Sequence, residues 1–163
     1  MTFTPQIDQL IPKFHVQDIK GQIVSPDRFL GHPYVLYFYP KNDTPGCTKE
    51  ACDFRDRQLD FMAKKAPVIG VSPDSESSHE KFMSKYQLEF IFISDPFYEL
   101  CSLFGVWEEK KSLNQIKWGV IRTTFVIDAK GIIRWIEKPV QVEGHAERVL
   151  QALENLPQAS DPL

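Results

Sequence analysis

Cysteine is scarce in this chain. Three cysteines in 163 residues do not build a disulfide framework, and an odd number argues against full structural pairing. Long apolar runs are missing as well: no stretch approaches the ~20 residues that a membrane-spanning helix requires. Met1 to Leu10 has neither the basic start nor the apolar stretch of a secretory leader. A reducing cytosol is therefore the expected compartment, with no membrane attachment. Basic residues form only isolated pairs such as Lys64-Lys65 and Lys110-Lys111, and the formal net charge is −3. A nucleic-acid partner is not expected from that pattern.

Further absences remove whole chemistries. The glycines stand singly, so neither a P-loop nor a G-x-G-x-x-G turn occurs. Cys47 and Cys52 lack C-x-x-C spacing and have no second ligand pair, so neither a metal site nor a bound cofactor is expected. The histidines, His15, His32, His79 and His145, all lie far from Cys47 in sequence. A Cys-His hydrolase has no visible partner among them. His145, after Gly144, reads as the start of a final helix.

What is present is ordinary for a globular protein: 42% hydrophobic and 25% charged residues. The length suits one domain over 1–163, with 157–163 as a loose tail. Phe14-His15-Val16 and Gln22-Ile23-Val24 flank a Gly21 turn and predict a short N-terminal hairpin. Tyr34 to Tyr39 is apolar throughout, the mark of a strand buried on both faces. Ala66 to Val71 and Phe90 to Ile93 read the same way. Between these runs, a helix is predicted from Thr48 to about Lys64, with Leu59, Met62 and Ala63 on its inner stripe. Another follows the capping residues of Ser72–Ser78 and carries Phe82, Met83 and Tyr86. Ser94-Asp95-Pro96 opens a short helix with Leu100, Leu103 and Phe104 on its apolar side. Thr124–Asp128 and Ile132–Ile136 form a hairpin about Ala129-Lys130-Gly131. A helix from Gly144 to Leu156 closes the chain, with Val149, Leu150 and Leu153 inward. This order predicts an α/β fold: a thioredoxin-like three-layer sandwich with a mixed central sheet and helices on both faces.

The chemistry concentrates between Pro40 and Cys52. Cys47 stands where an apolar strand gives way to a polar helix. Free backbone N–H groups and the dipole at a helix start favour an anion there. An unperturbed thiol, at pKa ~8.5, is mostly protonated near neutrality. Thr44 can offer a hydroxyl to a thiolate or to its substrate, Pro40 can shield the pocket from water, and Gly46 completes the turn. Taken alone, a cysteine in such a place is more often inert packing than nucleophile.

The wider string changes that weighting. Proline, threonine four residues on and cysteine three further on resemble the active-site signature of the peroxiredoxins. The stretch YFYPKNDTPGCTKEACDFRD closely resembles their bacterioferritin-comigratory, or peroxiredoxin Q, subfamily. The resemblance continues through Gly70-Val71-Ser72-Pro73-Asp74, Ser94-Asp95-Pro96, Gly105-Val106-Trp107, Arg122-Thr123-Thr124-Phe125-Val126-Ile127-Asp128 and Gly144-His145, nearly the whole chain. It implies a thioredoxin-dependent thiol peroxidase of the atypical two-cysteine type. Cys47 would be peroxidatic, with Pro40 and Thr44 shaping its pocket. Arg122 would stabilise the thiolate and polarise the peroxide. Its guanidinium cannot lose its charge.

The resemblance further implies that Cys52 resolves the Cys47 sulfenic acid as a disulfide, which thioredoxin or a similar donor reduces. If both cysteines are helical, the rise alone separates them by ~7.5 Å. Bridging needs Cα atoms within ~7 Å, so the first turns must unwind. The alternative for Cys52 is a small core residue. Glu50 is open between two roles: a partner for Arg122, or a first-turn glutamate favoured by the dipole. Cys101, among Leu100, Leu103 and Phe104, reads as a buried structural thiol; the resemblance leaves a second role open, an alternative resolving cysteine on a later helix. Hydrogen peroxide and small organic hydroperoxides are the expected substrates, and a monomer the expected unit. The competing functions are a general thiol-disulfide oxidoreductase and a non-enzymatic holdase on the same fold.

Overall fold

The computed structural model describes residues 5–157. Most of the expected tail lies outside them. The centre is a five-stranded sheet of order β5-β4-β3-β8-β9. Its strands are β3 (Tyr34–Phe38), β4 (Val68–Ser72), β5 (Ile91–Ser94), β8 (Thr123–Ile127) and β9 (Ile133–Glu137). β3 and β4 are parallel, as are β4 and β5, whereas β8 runs antiparallel to both β3 and β9. The mixed sheet follows from the connections. Helical crossovers return β4 and β5 in the direction of β3, and a tight turn reverses β8 into β9.

Every residue of β3 is buried, and alternation divides them between two cores. Val35, Tyr37 and Tyr39 face one core with Cys47, Phe54, Phe61, Phe82, Val149 and Leu153. Tyr34, Leu36 and Phe38 face the other, with Phe29, Cys101, Phe104 and Phe125. The first core is covered by α1 (Pro45–Asp56), α2 (Gln58–Ala63), α3 (Glu76–Tyr86) and α5 (His145–Glu154). The second is covered by α4 (Glu99–Leu103), a 3₁₀ turn at Pro26–Phe29 and the two-stranded hairpin of β1 (Val16–Gln17) and β2 (Ile23–Val24). Helices thus lie on both faces of the sheet, unevenly. Gly70 in β4 is dictated by neighbouring rings. A Cβ there would lie 2.8 Å from Phe92 Cε1 and 3.0 Å from Tyr37 Cε1.

Three expectations need correction. The first helix begins at Pro45, not Thr48, and it does not run through to Lys64. It breaks at Arg57, whose φ of −111° and ψ of 21° end α1 and start α2. The buried face nevertheless continues across the break, since Phe54 and Phe61 stand two helical turns apart on one stripe. Leu59, Met62 and Ala63 are all exposed, the first two at 80% and 61%, and Phe54 and Phe61 are buried instead. The segment after Val106 also holds a second hairpin, β6 (Trp107–Ser112) and β7 (Gln115–Val120), in its own two-stranded sheet. Its Glu-Glu-Lys-Lys run shows no alternation, and its Leu113-Asn114 turn lacks glycine. Asn114 takes the left-handed conformation there, at φ 66°. Among the described residues, no helix is long and apolar enough to cross a membrane.

Candidate active site

Thr44 is the N-cap of α1, with extended backbone at φ −88° and ψ 156°. Pro45 takes the first helical position, where its missing N–H costs nothing. The cysteine is therefore the third residue of the helix, inside its first turn. The Thr44 side chain makes no capping hydrogen bond; its hydroxyl donates instead to Lys41 O at 3.1 Å. The backbone N–H groups of Gly46 and Cys47 precede the first i→i−4 bond, from Thr48 N to Thr44 O at 2.8 Å. They remain free to face an anion. Cys47 itself is buried, at 1% exposure, beside the end of β3. Pro40, half-buried, closes that strand.

Arg122 reaches this turn from the residue just before β8. Its Nη1 donates to Glu50 Oε1 at 2.8 Å, and its Nη2 lies over Gly46, the residue before Cys47. Burial opposes the Arg122 charge, but Glu50 and Cys47 together hold its pKa above the ordinary arginine value. The approach depends on Gly46. A Cβ there would stand 3.2 Å from Arg122 Nη2 and 3.9 Å from Cζ. Of the two roles open to Glu50, the structure shows the partner of Arg122. Burial pushes its carboxyl up to about 7, with Arg122 pulling the other way.

The structure also brings in a residue that spacing did not reveal. His145, the first residue of α5, is buried, and its Nδ1 lies 3.3 Å from Glu50 Oε2. Nothing in the sequence signals this contact except the Gly144-His145 pair itself. Tyr37 is a second such residue: its ring is buried in β3, and burial, then Tyr39, Glu50 and Cys47, push its hydroxyl pKa well up.

Cys52 lies on the same unbroken helix as Cys47 and is partly buried. Burial raises its pKa, Arg55 works against that, and Asp56 and Asp53 reinforce it. Both thiols are free. Cys101 is buried in the opposite core, behind the sheet, and its backbone N–H donates to Asp95 Oδ2 at 2.9 Å. Burial, then the Asp95 charge, drives its thiol far above the ordinary range. An apolar cavity of about 390 Å³, lined by Phe61, Met62, Pro67, Val68, Phe90 and Ile91, lies apart from these residues. Among the described residues, no three His, Cys, Asp or Glu side chains are grouped to hold a metal ion.

Solved structures share this arrangement of sheet and helices. The PrxQ of Xylella fastidiosa superposes with a TM-score of 0.85 at 32% identity, covering 93% of this chain and 97% of that one. The bacterioferritin comigratory protein of Xanthomonas campestris, studied for alkyl peroxide reduction, gives 0.82 at 35% identity, covering 86% and 90%. A buried helix-start thiol beside an arginine, on a thioredoxin-like sheet with these neighbours, defines a thiol-dependent peroxidase. The model of the AhpC/TSA family matches residues 7–136, and the chain belongs to that family. Peroxiredoxin Bcp of Bacillus subtilis is 40% identical over 153 residues, spanning 94% of this chain and 98% of its own.

Proposed function

We propose that Cys47 is the peroxidatic thiol of an atypical two-cysteine cycle acting on hydrogen peroxide and small organic hydroperoxides. The observation that carries this reading is the convergence of Arg122, the first turn of α1 and the buried Cys47 sulfur. The thiolate attacks the distal peroxide oxygen. The O–O bond breaks, its electron pair leaves on the proximal oxygen as alkoxide or hydroxide, and that oxygen takes a proton. Arg122 and the free N–H groups of Gly46 and Cys47 stabilise the charge as it moves. The Thr44 hydroxyl turns from Lys41 O to the peroxide, and Pro40 keeps water from the sulfur. Glu50 and Gly46 support the placing of Arg122.

Cys52 then attacks the Cys47 sulfenic acid, which forms the S–S bond and releases water. A dithiol donor, thioredoxin or similar, takes up the oxidation in turn. Because α1 holds both cysteines in one helix, its first turns unwind for this step. Cys101, sealed behind the sheet, takes no part. No cofactor or metal enters the cycle. Cys47, Cys52, Glu50 and Arg122 all belong to one chain, which we read as a single domain over 1–163 acting as a monomer in a reducing cytosol.

The two competing functions give different results with peroxide. Cys47→Ser should abolish peroxide consumption in a stopped-flow assay with thioredoxin and its reductase. A general disulfide oxidoreductase would instead reduce protein disulfides while leaving peroxide untouched. A holdase would suppress aggregation equally well in Cys47→Ser. In either case, peroxide left unconsumed by the unaltered protein would reject the peroxidase cycle.

A further inference from the structure

Behind Arg122 lies a pair of buried titratable groups, Glu50 and His145; the cycle above uses Glu50 only to place Arg122 and leaves His145 without a part. Glu50 is 1% exposed and His145 is 1% exposed. One carboxylate oxygen, Oε1, is taken by Arg122 at 2.8 Å. The other, Oε2, faces His145 Nδ1 at 3.3 Å. Neither Glu50 Oε2 nor either ring nitrogen of His145 makes a hydrogen bond in this conformation, with each other or with any other group among the described residues. The imidazole is clamped by aromatic rings: Phe54 meets it edge-on at 5.4 Å, and Trp135 lies nearly parallel at 6.4 Å. A buried carboxylate oxygen and a buried imidazole nitrogen facing only each other are costly unless one proton joins them.

We propose that His145 is a positioning residue of the Cys47 site, holding one proton between its Nδ1 and Glu50 Oε2 and thereby setting how the Arg122 charge is divided between Glu50 and the Cys47 sulfur. The inference rests on the reading of Cys47 as the reactive thiol. When Glu50 is ionised, His145 Nδ1–H donates to Oε2, and Arg122 is shared between two anions. When Glu50 is protonated, Oε2–H donates to Nδ1, the imidazole proton sits on Nε2, and Arg122 is left to the thiolate. The ring stays neutral in both states. Burial pushes His145 down to about 4 and Glu50 up to about 7, so the exchange falls near neutrality and the added proton resides on the carboxyl.

The surroundings act on the pair from several elements. Glu137 on β9 raises both pKa values, and Asp53 on α1 does the same. Arg148 on α5 and Arg122 lower that of His145. The Tyr37 hydroxyl on β3 lies within the influence of both Glu50 and Cys47. Glu137 is itself held by Arg148 at 2.7 Å, which tempers its pull on the pair.

The test is the pH profile of Cys47 alkylation by iodoacetamide, which needs no peroxide turnover, in protein whose Cys52 and Cys101 are replaced by serine. The parent should show an inflection near the Glu50 pKa besides that of the thiol itself. His145→Phe keeps the ring volume but removes the hydrogen bond. It should move that inflection upward by about one to two pH units, the loss expected for a bond to a buried charged group. His145→Asn, which can still donate, should restore part of the shift. In a Glu50→Gln background, His145→Phe should change nothing further. A uniform rate loss at every pH, or an equal loss in the Glu50→Gln background, would overturn the proposal. If His145→Phe does not fold, nitrogen NMR of His145 in the unaltered protein decides. A neutral ring that changes tautomer between pH 6 and 8 supports the pair, and a ring that charges or stays unchanged overturns it. Peroxide consumption is measured in parallel. Its absence alongside a responsive alkylation profile would reject the peroxidase cycle and leave this inference standing.

Discussion

Replacing Gly46 with alanine should move stability and activity in opposite directions. Gly46 is the second residue of α1, with no positive φ that would forbid a side chain. Alanine there lowers the entropy of the unfolded chain and favours the helix, a gain of about 0.4–1 kcal/mol. The new Cβ, however, would lie 3.2 Å from Arg122 Nη2. That is tighter than most Cβ contacts in folded proteins, so the guanidinium must retreat by a few tenths of an ångström. Its Nη1 is tethered to Glu50 at 2.8 Å, so the retreat is a swing that carries the free edge away from Cys47. A shift near 1 Å at a reacting centre costs on the order of 10²-fold. This smaller one should cost roughly tenfold in the second-order rate of Cys47 oxidation. Urea unfolding reads the first effect, and stopped-flow tryptophan fluorescence with hydrogen peroxide reads the second. An unchanged oxidation rate would refute the placing of Arg122 over Gly46. A fall in stability would show that the helix start, not the arginine, had been damaged.

Other perturbations follow from the same contacts. Arg122→Lys keeps the charge but loses the fork that serves Glu50 and Cys47 together. Its kcat/KM should fall about 10²–10³-fold, and a loss under threefold would remove Arg122 from the chemistry. Gly70→Ala drives a Cβ into the Phe92 and Tyr37 rings, at 2.8 and 3.0 Å. It should destabilise by about 1–3 kcal/mol in urea unfolding, and a neutral outcome would contradict the packing between β4 and its neighbours. Stability against pH separates Glu50 from His145. Glu50 sits up at about 7 when folded, above ~4.3 unfolded, so it adds stability as pH falls from 7 to ~4.3. His145 sits down at about 4, below ~6.5 unfolded, so stability drains away as pH falls from ~6.5 to 4. The two nearly offset each other. Glu50→Gln should therefore expose a steeper acid loss between pH 6.5 and 4.5 than the parent shows. Equal slopes would mean the two groups are not buried as described.

The sheet was legible because β3 is apolar at every position, which only a strand buried on both faces requires. Cys47, Thr44 and Pro40 were legible through local spacing and resemblance together. Arg122 was visible only through resemblance, since it stands 75 residues from the cysteine and its approach depends on the pairing of β8 with β3. His145 was hidden for the same reason: α5 packs its first residue against α1, and no sequence spacing encodes that meeting. The β6–β7 hairpin was missed because β6 is mostly charged and both strands are largely solvent-facing, so burial imposes no alternation on them. The Leu59 stripe was misplaced because it was not continued from Cys47, Ala51 and Phe54, whose face leads on to Phe61. The resolution by Cys52 that we propose requires another conformation, because α1 as it stands keeps the two cysteines apart on one helix.

The central claim is that Cys47 and Cys52 form one redox pair, and intact mass with peptide mapping after one equivalent of hydrogen peroxide addresses it directly. The account predicts a loss of two hydrogens mapped to a Cys47–Cys52 disulfide. A stable oxygen added to Cys47, or a bridge from Cys47 to Cys101, would contradict it.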